Sequence, residues 1–453
     1  MGATARDVAL EIVNRANKSG TYANLLLPKV LEKSPLSLND KALATELAYG
    51  TLRNQGTLDW IIKNYIDKKK KRINLKLMDI LRLGAYQIYY LSRVPDSAAV
   101  NESVELTKKY FPKKVSDFVN AVLRKISKNK KRIKFDKLKK DFGNYLSIKY
   151  SHPLWLSNML LERFGKRKSE AICRANNKTP ELNIRVNMFR ISLSAFEKLL
   201  KKRGYEYEHS KLVEDSFILK HRGPINTIFG YTEGLFSVQD QSSTMVGHVV
   251  DPSAGERIID AAAAPGGKAV HLAALMKNKG TIIAADQSAA RLTLLDSLRE
   301  RLKIKIIIPL AVDARRLNMY VKRNVDKILV DAPCSGLGTL ARRPDERWRK
   351  SMDLVHKMNQ LQLEILDSVA SLVKKSGSLT YSVCTLTKEE TEDVCEDFLS
   401  YHPEYELADI SSYLPKGCKP NSKYGIQILP YQFHSDGMFI AKFNKVMNKK
   451  RKS

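Results

Sequence analysis

The spacing of apolar residues changes twice along this chain, and that change constrains the fold more than any other feature. In the first part apolar residues recur every three to four positions. Ala5, Val8, Ile12 and Ala16 share one face, as do Leu77, Leu81, Ala85, Ile88 and Leu91, and Val115, Val119, Val122 and Ile126. Such stripes bury one side of a helix against its neighbours, so they predict a small all-helical domain. From about Tyr150 the pattern is mixed. Leu182-Asn183-Ile184-Arg185-Val186 alternates like a strand, and Ser194 with Glu197 reads as a capping box opening a helix to about Arg203. Tyr205–Tyr207 and Phe217–Leu219 are further short strands, making a small α+β unit. From Ile258 onward, strand-like runs (Ile258–Ala261, Thr281–Ala285, Ile306–Leu310, Lys327–Val330, Ser378–Tyr381) alternate with helical stretches such as Lys268–Met276 and Met358–Val373. That alternation predicts a parallel sheet with helices on both faces. The expected organisation is therefore a helical domain at 1–130, a basic linker plus small α+β domain at 131–235, an α/β domain at 236–446 and a basic tail at 447–453.

A chain of 453 residues is too long for one hydrophobic core, which agrees with several domains. Its 78 Lys+Arg against 48 Asp+Glu leave a formal charge of +30. A surplus of that size points to a polyanionic partner, nucleic acid before all, rather than to ordinary solvated lysines. Lys68–Arg72 and Lys128–Lys140 are the densest basic clusters. No run reaches the roughly 18 apolar residues that span a bilayer, and the first residues carry no apolar signal core, so no membrane partner and a cytoplasmic location are expected. The five cysteines (Cys173, Cys334, Cys384, Cys395, Cys418) form no C-x-x-C pair. Neither a zinc site nor a disulfide framework is expected, which leaves packing or thiol chemistry.

The first strand of the α/β region runs into Asp260-Ala261-Ala262-Ala263-Ala264-Pro265-Gly266-Gly267-Lys268 and then a helix. Glycines at such a turn let a ligand approach the backbone and the helix N-terminal amides. Asp286, 20 positions after Gly266, closes the second strand where an acid holds ribose hydroxyls, and Asp313 follows the third. The turn is neither G-x-G-x-x-G nor a P-loop, which disfavours NAD and ATP. Acids at three successive strand ends predict a nucleoside site. The fourth strand delivers Asp331-Ala332-Pro333-Cys334-Ser335-Gly336 and the fifth Tyr381-Ser382-Val383-Cys384-Thr385. Adjacent strand ends share one crevice, so two thiols and a carboxylate are expected beside the nucleoside. That set suits covalent nucleophilic catalysis. Spacing does not say which cysteine attacks.

At these residues the chain resembles the NOL1/NOP2/sun family of RNA cytosine-5 methyltransferases, over nearly its whole length. Asp331 through Trp348, including Arg342-Arg343-Pro344-Asp345, carries the most specific likeness. Gln239-Asp240-Gln241-Ser242-Ser243 and Asp436-Gly437-Met438-Phe439 resemble the segments that open and close the family's catalytic domain. Ala5–Ala16, Glu46-Leu47-Ala48-Tyr49-Gly50-Thr51-Leu52-Arg53 and Asn120-Ala121-Val122-Leu123-Arg124 resemble the NusB-type RNA-binding domain fused to its small-subunit rRNA members. The resemblance implies an all-α NusB-like domain, an RRM- or ferredoxin-like small domain and a Rossmann-like class I methyltransferase domain. It implies S-adenosylmethionine as cofactor and S-adenosylhomocysteine as product, held by Ala262, Ala263, Ala264, Pro265, Gly266, Gly267, Lys268, Asp286, Asp313 and Asp331. It also implies Cys384 as the nucleophile at cytosine C6, Cys334 as the thiol that helps release product, and Asp331 as the group on the base edge.

The implied substrate is a 16S rRNA hairpin-loop cytosine, position 967 in conventional rRNA numbering, on unassembled or partly assembled small subunits. A monomer without metal is expected. Departures from the family pattern are Ala262 for Cys, Val383 for Thr, Thr385 for Ser and Thr391 for Asn; they bear on rate, not on reaction class. Other readings are a related enzyme for another rRNA or tRNA cytosine, a DNA methyltransferase using the Pro333-Cys334 thiol, and a non-catalytic NusB-like antitermination factor. The helical domain disfavours the tRNA and DNA readings, and the retained Asp331, Cys334 and Cys384 disfavour the last.

Overall fold

The helical stripes at the start of the chain are buried on one face, as their spacing predicts. The computed structural model describes residues 4–66, 73–221, 223–322 and 324–446. The basic cluster Lys68–Arg72 and the tail 447–453 lie outside the described residues. The chain divides into two compact units, Met1–Thr179 with Leu340–Lys350, and Pro180–Thr339 with Ser351–Ser453.

In the first unit, α1 (Ala5–Ser19), α2 (Ala23–Glu32), α3 (Leu38–Arg53), α4 (Gln55–Lys63), α5 (Leu75–Tyr90), α6 (Asp96–Lys108) and α7 (Lys113–Asn129) surround one core. Ile12, Leu47, Leu81, Val119 and Ile126 are fully buried in it. A reciprocal Thr4–Asp7 capping box starts α1 and left-handed Gly20 ends it. Lys128–Lys140 is neither a plain linker nor a single helix. The last turn of α7 leads into two 3-10 turns, Lys130–Arg132 and Asp136–Lys140, with no buried residue. Helices α8 (Phe142–Lys149) and α9 (Leu154–Ala175) follow.

The piece 340–350 completes this unit. Arg347 is fully buried. Its guanidinium donates to the carbonyls of Arg53 (3.3 Å), Ser151 (2.9 Å) and Asn176 (3.1 Å) and to Asn177 Oδ1 (2.8 Å). Burial pushes its pKa down to about 9. The Asp345 carboxylate accepts from the Ala23 N–H at the start of α2 (3.2 Å). Residues that the sequence reading assigned to the α/β region are thus packing and capping groups of the helical unit.

The second unit holds two sheets. In the smaller, β1 (Leu182–Val186), β2 (Tyr207–His209), β3 (Ser216–Leu219) and β4 (Phe236–Val238) pair antiparallel in the order β2-β3-β1-β4. This is the ferredoxin-like order, with helix α10 (Leu193–Lys202) after β1 and a 3-10 turn, Ile225–Thr227, between β3 and β4. The cap of α10 is Ser192, which accepts from the Ala195 N–H, and not the predicted Ser194. Glu197 does not close a capping box; it accepts from the Tyr207 hydroxyl at 2.7 Å.

The larger sheet contains β5 (Arg257–Asp260), β6 (Thr281–Asp286), β7 (Ile307–Ala311), β8 (Val325–Asp331), β9 (Val373–Val383), β10 (Tyr405–Leu407), β11 (Ile426–Ile428) and β12 (Met438–Lys445). Its order is β10-β12-β9-β8-β5-β6-β7, with β11 also on β12. Strands β5 to β9 run parallel, and β12 closes antiparallel on β9. Successive residues point to opposite faces, which explains the continuous apolar runs. Ile259, Ile328 and Tyr381 join a core with α15 (Met352–Ala370) and α16 (Val394–Tyr401). Ile258, Ile282 and Leu329 join the opposite core with α11 (Gln241–Val250), α12 (Gly267–Leu275) and α13 (Ala289–Arg301). Strand order reverses between β5 and β8, so the topological switch point, where open α/β sheets bind ligands, lies at their carboxyl ends.

Two ties hold this unit together. Asp215, just before β3, accepts from His248 on α11 (3.0 Å) and His271 on α12 (3.2 Å). Burial would raise Asp215, but these bonds hold it well below the usual carboxylate range. Asp240 Oδ1 accepts from the Ser242 N–H (3.0 Å), the Ser435 hydroxyl (2.6 Å) and the Asp436 N–H (3.0 Å). The two segments resembling the opening and closing of a catalytic domain therefore bond to each other.

Candidate active site

At the end of β5 the chain turns through Ala261–Pro265 into α12. Gly266 caps that helix at φ +108°, and a Cβ there would lie 2.2 Å from Leu295 Cδ1. Gly267 is under no such demand; its Cβ would meet only Gln239 Nε2 at 3.8 Å. Arg185, fully buried on β1, donates to the Gly267 carbonyl at 3.0 Å and also bonds Gln239. The small sheet thus braces the turn, a role that the alternating pattern of β1 did not reveal.

Asp286 ends β6 and is buried. It accepts from the Ala264 N–H (3.2 Å) and the Ser288 N–H (2.9 Å), so it shapes the turn from the neighbouring strand. Asp313 follows β7. It caps a short 3-10 turn and pairs with Arg315 at 2.7 Å, which holds its carboxyl below the usual range. Asp260 is fully buried, and neither oxygen has a hydrogen-bond partner in normal geometry, although the Ala262 N–H lies close enough to favour the charged form. Burial first, and then repulsion from Asp331, push its pKa up to about 7.

The remaining predicted residues meet at the ends of β5, β8 and β9. Lys268 Nζ, entering from α12, bonds Asp331 Oδ2 at 2.7 Å, and Ser382 on β9 donates to Asp331 Oδ1 at 2.8 Å. Burial would lower Lys268, but the Asp331 pair outweighs it and keeps the ammonium charged; Cys384 also lies within its electrostatic reach. Cys334 and Cys384 face each other at 3.3 Å between sulfurs. Their hydrogen bond, with burial, pushes the Cys334 thiol well above its ordinary value. The loop beyond Cys334 is pinned by Gly338 N–H to the Cys384 carbonyl (2.9 Å) and by Gly437 N–H to the Gly338 carbonyl (2.8 Å). A Cβ on Gly338 would sit 2.2 Å from the Gly437 oxygen, so this crossing requires glycine. Among the described residues, Asp215, His248 and His271 have metal-ligand spacing, but both histidines already bond the Asp215 carboxylate through Nε2, beside the buried Arg185 cation.

The site fits S-adenosylmethionine on these grounds. A buried carboxylate with no hydrogen bond of normal geometry at the switch point, with Asp286 and Asp331 near it against Lys268 and Arg291 (3.3 Å from Asp286), leaves an excess of acid that suits a ligand carrying a sulfonium and an ammonium. The fold and this strand-end site define a class I methyltransferase that uses S-adenosylmethionine.

Residues 247–444 match the family described as 16S rRNA methyltransferase RsmB/F, residues 3–128 the NusB family, and residues 152–226 the ferredoxin-like domain of RsmF/B-like methyltransferases. The chain is 37% identical over 445 residues to the probable ribosomal RNA small subunit methyltransferase B of Bacillus subtilis (strain 168), covering 98% of this chain and 99% of that protein. The crystal structure of PH0851 resembles it with a TM-score of 0.80 at 29% identity, covering 98% of this chain and 100% of that one. That of a methyltransferase homolog protein from Pyrococcus horikoshii does so with a TM-score of 0.59 at 27% identity, covering 66% and 98%. The chain belongs to the 16S rRNA methyltransferase RsmB/F family.

Among the described residues no helix is long and apolar enough to cross a membrane.

Proposed function

We propose that the protein methylates carbon-5 of a cytosine in 16S rRNA, position 967 in conventional rRNA numbering, through a covalent bond between Cys384 and cytosine C6. The observation that carries this reading is the pair of sulfurs 3.3 Å apart at the ends of adjacent parallel strands, beside an Asp331 locked by Lys268 and Ser382.

Bound S-adenosylmethionine supplies an electrophilic methyl group on its sulfonium. The turn Ala262–Lys268 and the acids Asp286 and Asp313 bind and orient it. Cytosine C5 is a weak nucleophile, and a thiolate adding at C6 makes C5 enamine-like and able to attack that methyl. Asp331 holds the base edge, accepting from the exocyclic amine and, once the adduct has made it N–H, from N3. The C5 proton must then leave for the C5–C6 double bond to re-form and expel Cys384. A base removes that proton, and Cys334, its sulfur 3.3 Å from that of Cys384, is placed to help this release. The base has to leave its stack to reach these groups, which favours a loop or a flipped nucleotide.

The charge of +30 suits a substrate of this kind, with the helical domain contributing RNA contacts. The same reading places the enzyme in the cytoplasm, as a monomer acting on unassembled or partly assembled small subunits. The test is transfer of labelled methyl to 16S rRNA, with bisulfite sequencing of rRNA from a deletion strain. Loss of one 5-methylcytosine at position 967 is expected. Loss at another cytosine would move the target, and RNA binding without methyl transfer would leave only a NusB-like binding factor.

A further inference from the structure

Glu390 takes no part in the chemistry above, yet it lies between the two cysteine loops. It is fully buried, in the π-helical turn Glu389–Asp393 that leads into α16. Its Oε1 accepts from the Ser335 N–H (2.7 Å) and from Gln362 Nε2 (3.2 Å). Its Oε2 accepts from the hydroxyls of Ser335 (2.5 Å), Thr385 (3.0 Å) and Thr387 (2.9 Å). Ser335 follows Cys334 and Thr385 follows Cys384, so one carboxylate grips the residue after each thiol. Gln362, from α15, also donates to the Pro333 carbonyl at 2.9 Å, which fixes the residue before Cys334 as well.

The two thiols depend on this grip unequally. Cys384 directly follows β9, where Ser382 pairs with Asp331 on one side and Ile440 on the other, and Val383 pairs with Phe439. Strand pairing positions it. Cys334 lies beyond the end of β8, with no ladder of its own. Its neighbours are held by Glu390, by Gln362 and by the Gly338 crossing. Removing the carboxylate would strand the Ser335 N–H and three hydroxyls in the interior, and the Cys334 loop is the part free to shift in search of partners.

We propose that Glu390 is a positioning residue that sets Cys334 against Cys384, so that release of the covalent adduct depends on it more than formation of the adduct does. The inference rests on the reading of Cys384 as nucleophile and Cys334 as the releasing thiol. In a Glu390 variant the Cys384–C6 bond forms and C5 is methylated. Elimination then lacks a well-placed Cys334, and the sulfur–carbon bond persists.

The experiment uses the full chain with a 16S rRNA hairpin containing the target cytosine and with S-adenosylmethionine. It compares C384A, C334A, E390A, E390Q and the C334A/E390A double variant. Single-turnover methyl transfer, steady-state turnover, protein–RNA complex on denaturing gels, cofactor affinity and thermal unfolding are measured for each. E390A is expected to keep cofactor affinity and most of the single-turnover methyl transfer. Its steady-state turnover should fall by about tenfold or more, as a displacement near 1 Å at a reacting group can cause, with covalent complex accumulating. E390Q keeps an acceptor for the Ser335 N–H and should lie between wild type and E390A. The double variant should be no worse than C334A, because both changes remove the same function.

Equal losses of adduct, single-turnover transfer and steady-state turnover in E390A would overturn the proposal, as would unchanged turnover. If E390A does not fold, E390Q decides: slower turnover with trapped complex at normal cofactor affinity supports the proposal, and normal turnover overturns it. Failure of C334A to trap an adduct would overturn the assignment of the thiols themselves, and the proposal with it, in an arm that leaves Glu390 intact.

Discussion

The two ends of the site treat their carboxylates in opposite ways. At the cofactor end Asp260 is buried with neither oxygen in a hydrogen bond of normal geometry. At the thiol end Glu390 is equally buried, and five donors converge on its two oxygens. An unmatched buried acid is costly until a cation arrives, so it is a binding device. A saturated one has nothing left to offer a ligand and serves to hold its neighbours in place. A burial profile alone cannot tell these two acids apart, whereas their donors can.

The largest expected effect separates the two ends outright. Cys384→Ala should lower methyl transfer by roughly 10³-fold or more and abolish the denaturant-resistant RNA complex, since no adduct can start. Cofactor affinity should stay within about twofold, because the change touches only the thiol end. Isothermal titration beside the activity assay checks both; a parallel fall in cofactor affinity would show that the ends are coupled. Asp286→Ala attacks the other end. It removes the acceptor of two backbone N–H groups that shape the turn, at about 1.5–3 kcal/mol for a charge-assisted bond. Cofactor affinity should fall about tenfold to a hundredfold, while the rate at saturating cofactor stays near wild type. A pure loss of rate would remove Asp286 from the cofactor end.

Asp260 sharpens the comparison through pH. Its folded-state pKa is raised from 3.8 to about 7. Stability from its proton is therefore fully present below about 3.8 and is lost as pH rises through about 7. A cationic ligand favours the ionised form, so binding should release a proton below pH 7. Affinity for S-adenosylmethionine should fall by up to about tenfold per pH unit there, and Asp260→Asn should flatten the profile. An affinity independent of pH between about 6 and 8 in the wild type would take Asp260 away from the cofactor. The smallest effect is a contrast within the turn. Gly266→Ala places a Cβ 2.2 Å from Leu295 in a left-handed conformation, whereas Gly267→Ala meets nothing closer than 3.8 Å. The first should cost about 1–2 kcal/mol in thermal unfolding and the second less than about 1. Equal shifts would mean that the turn relaxes freely.

Much of this architecture was legible because parallel strands buried on both faces leave unbroken apolar runs. Strands β5 to β9 lie where those runs predicted, with ends displaced by a few residues. Strand β9 starts at Val373 rather than Ser378 because exposed Lys374 and Lys375 interrupt its apolar signal. The acids and thiols were visible as residues at strand ends. Glu390 was not: in Lys388-Glu389-Glu390 it reads as a solvated charge. Its burial depends on donors at positions 335, 362, 385 and 387, which only the folded chain collects. Arg347 was hidden for the same reason, since a guanidinium among other charges gives no sign that backbone carbonyls will enclose it.

The segment Leu340–Lys350 gives the helical unit an order of assembly. Synthesis delivers residues up to 179 early and 340–350 much later, and domains usually fold as they emerge. Until Arg347 arrives, the carbonyls of Arg53, Ser151 and Asn176 lack the guanidinium that closes over them, and the start of α2 lacks the Asp345 carboxylate. The part made first is therefore finished only after the strand that ends at Asp331, and the Cys334 loop beyond it, have been made. Nascent chains stalled before residue 340 should be cut by protease between Tyr150 and Asn177, and chains stalled well beyond residue 350 should be protected there. Equal cleavage of the two would show that the helical unit closes without its late piece.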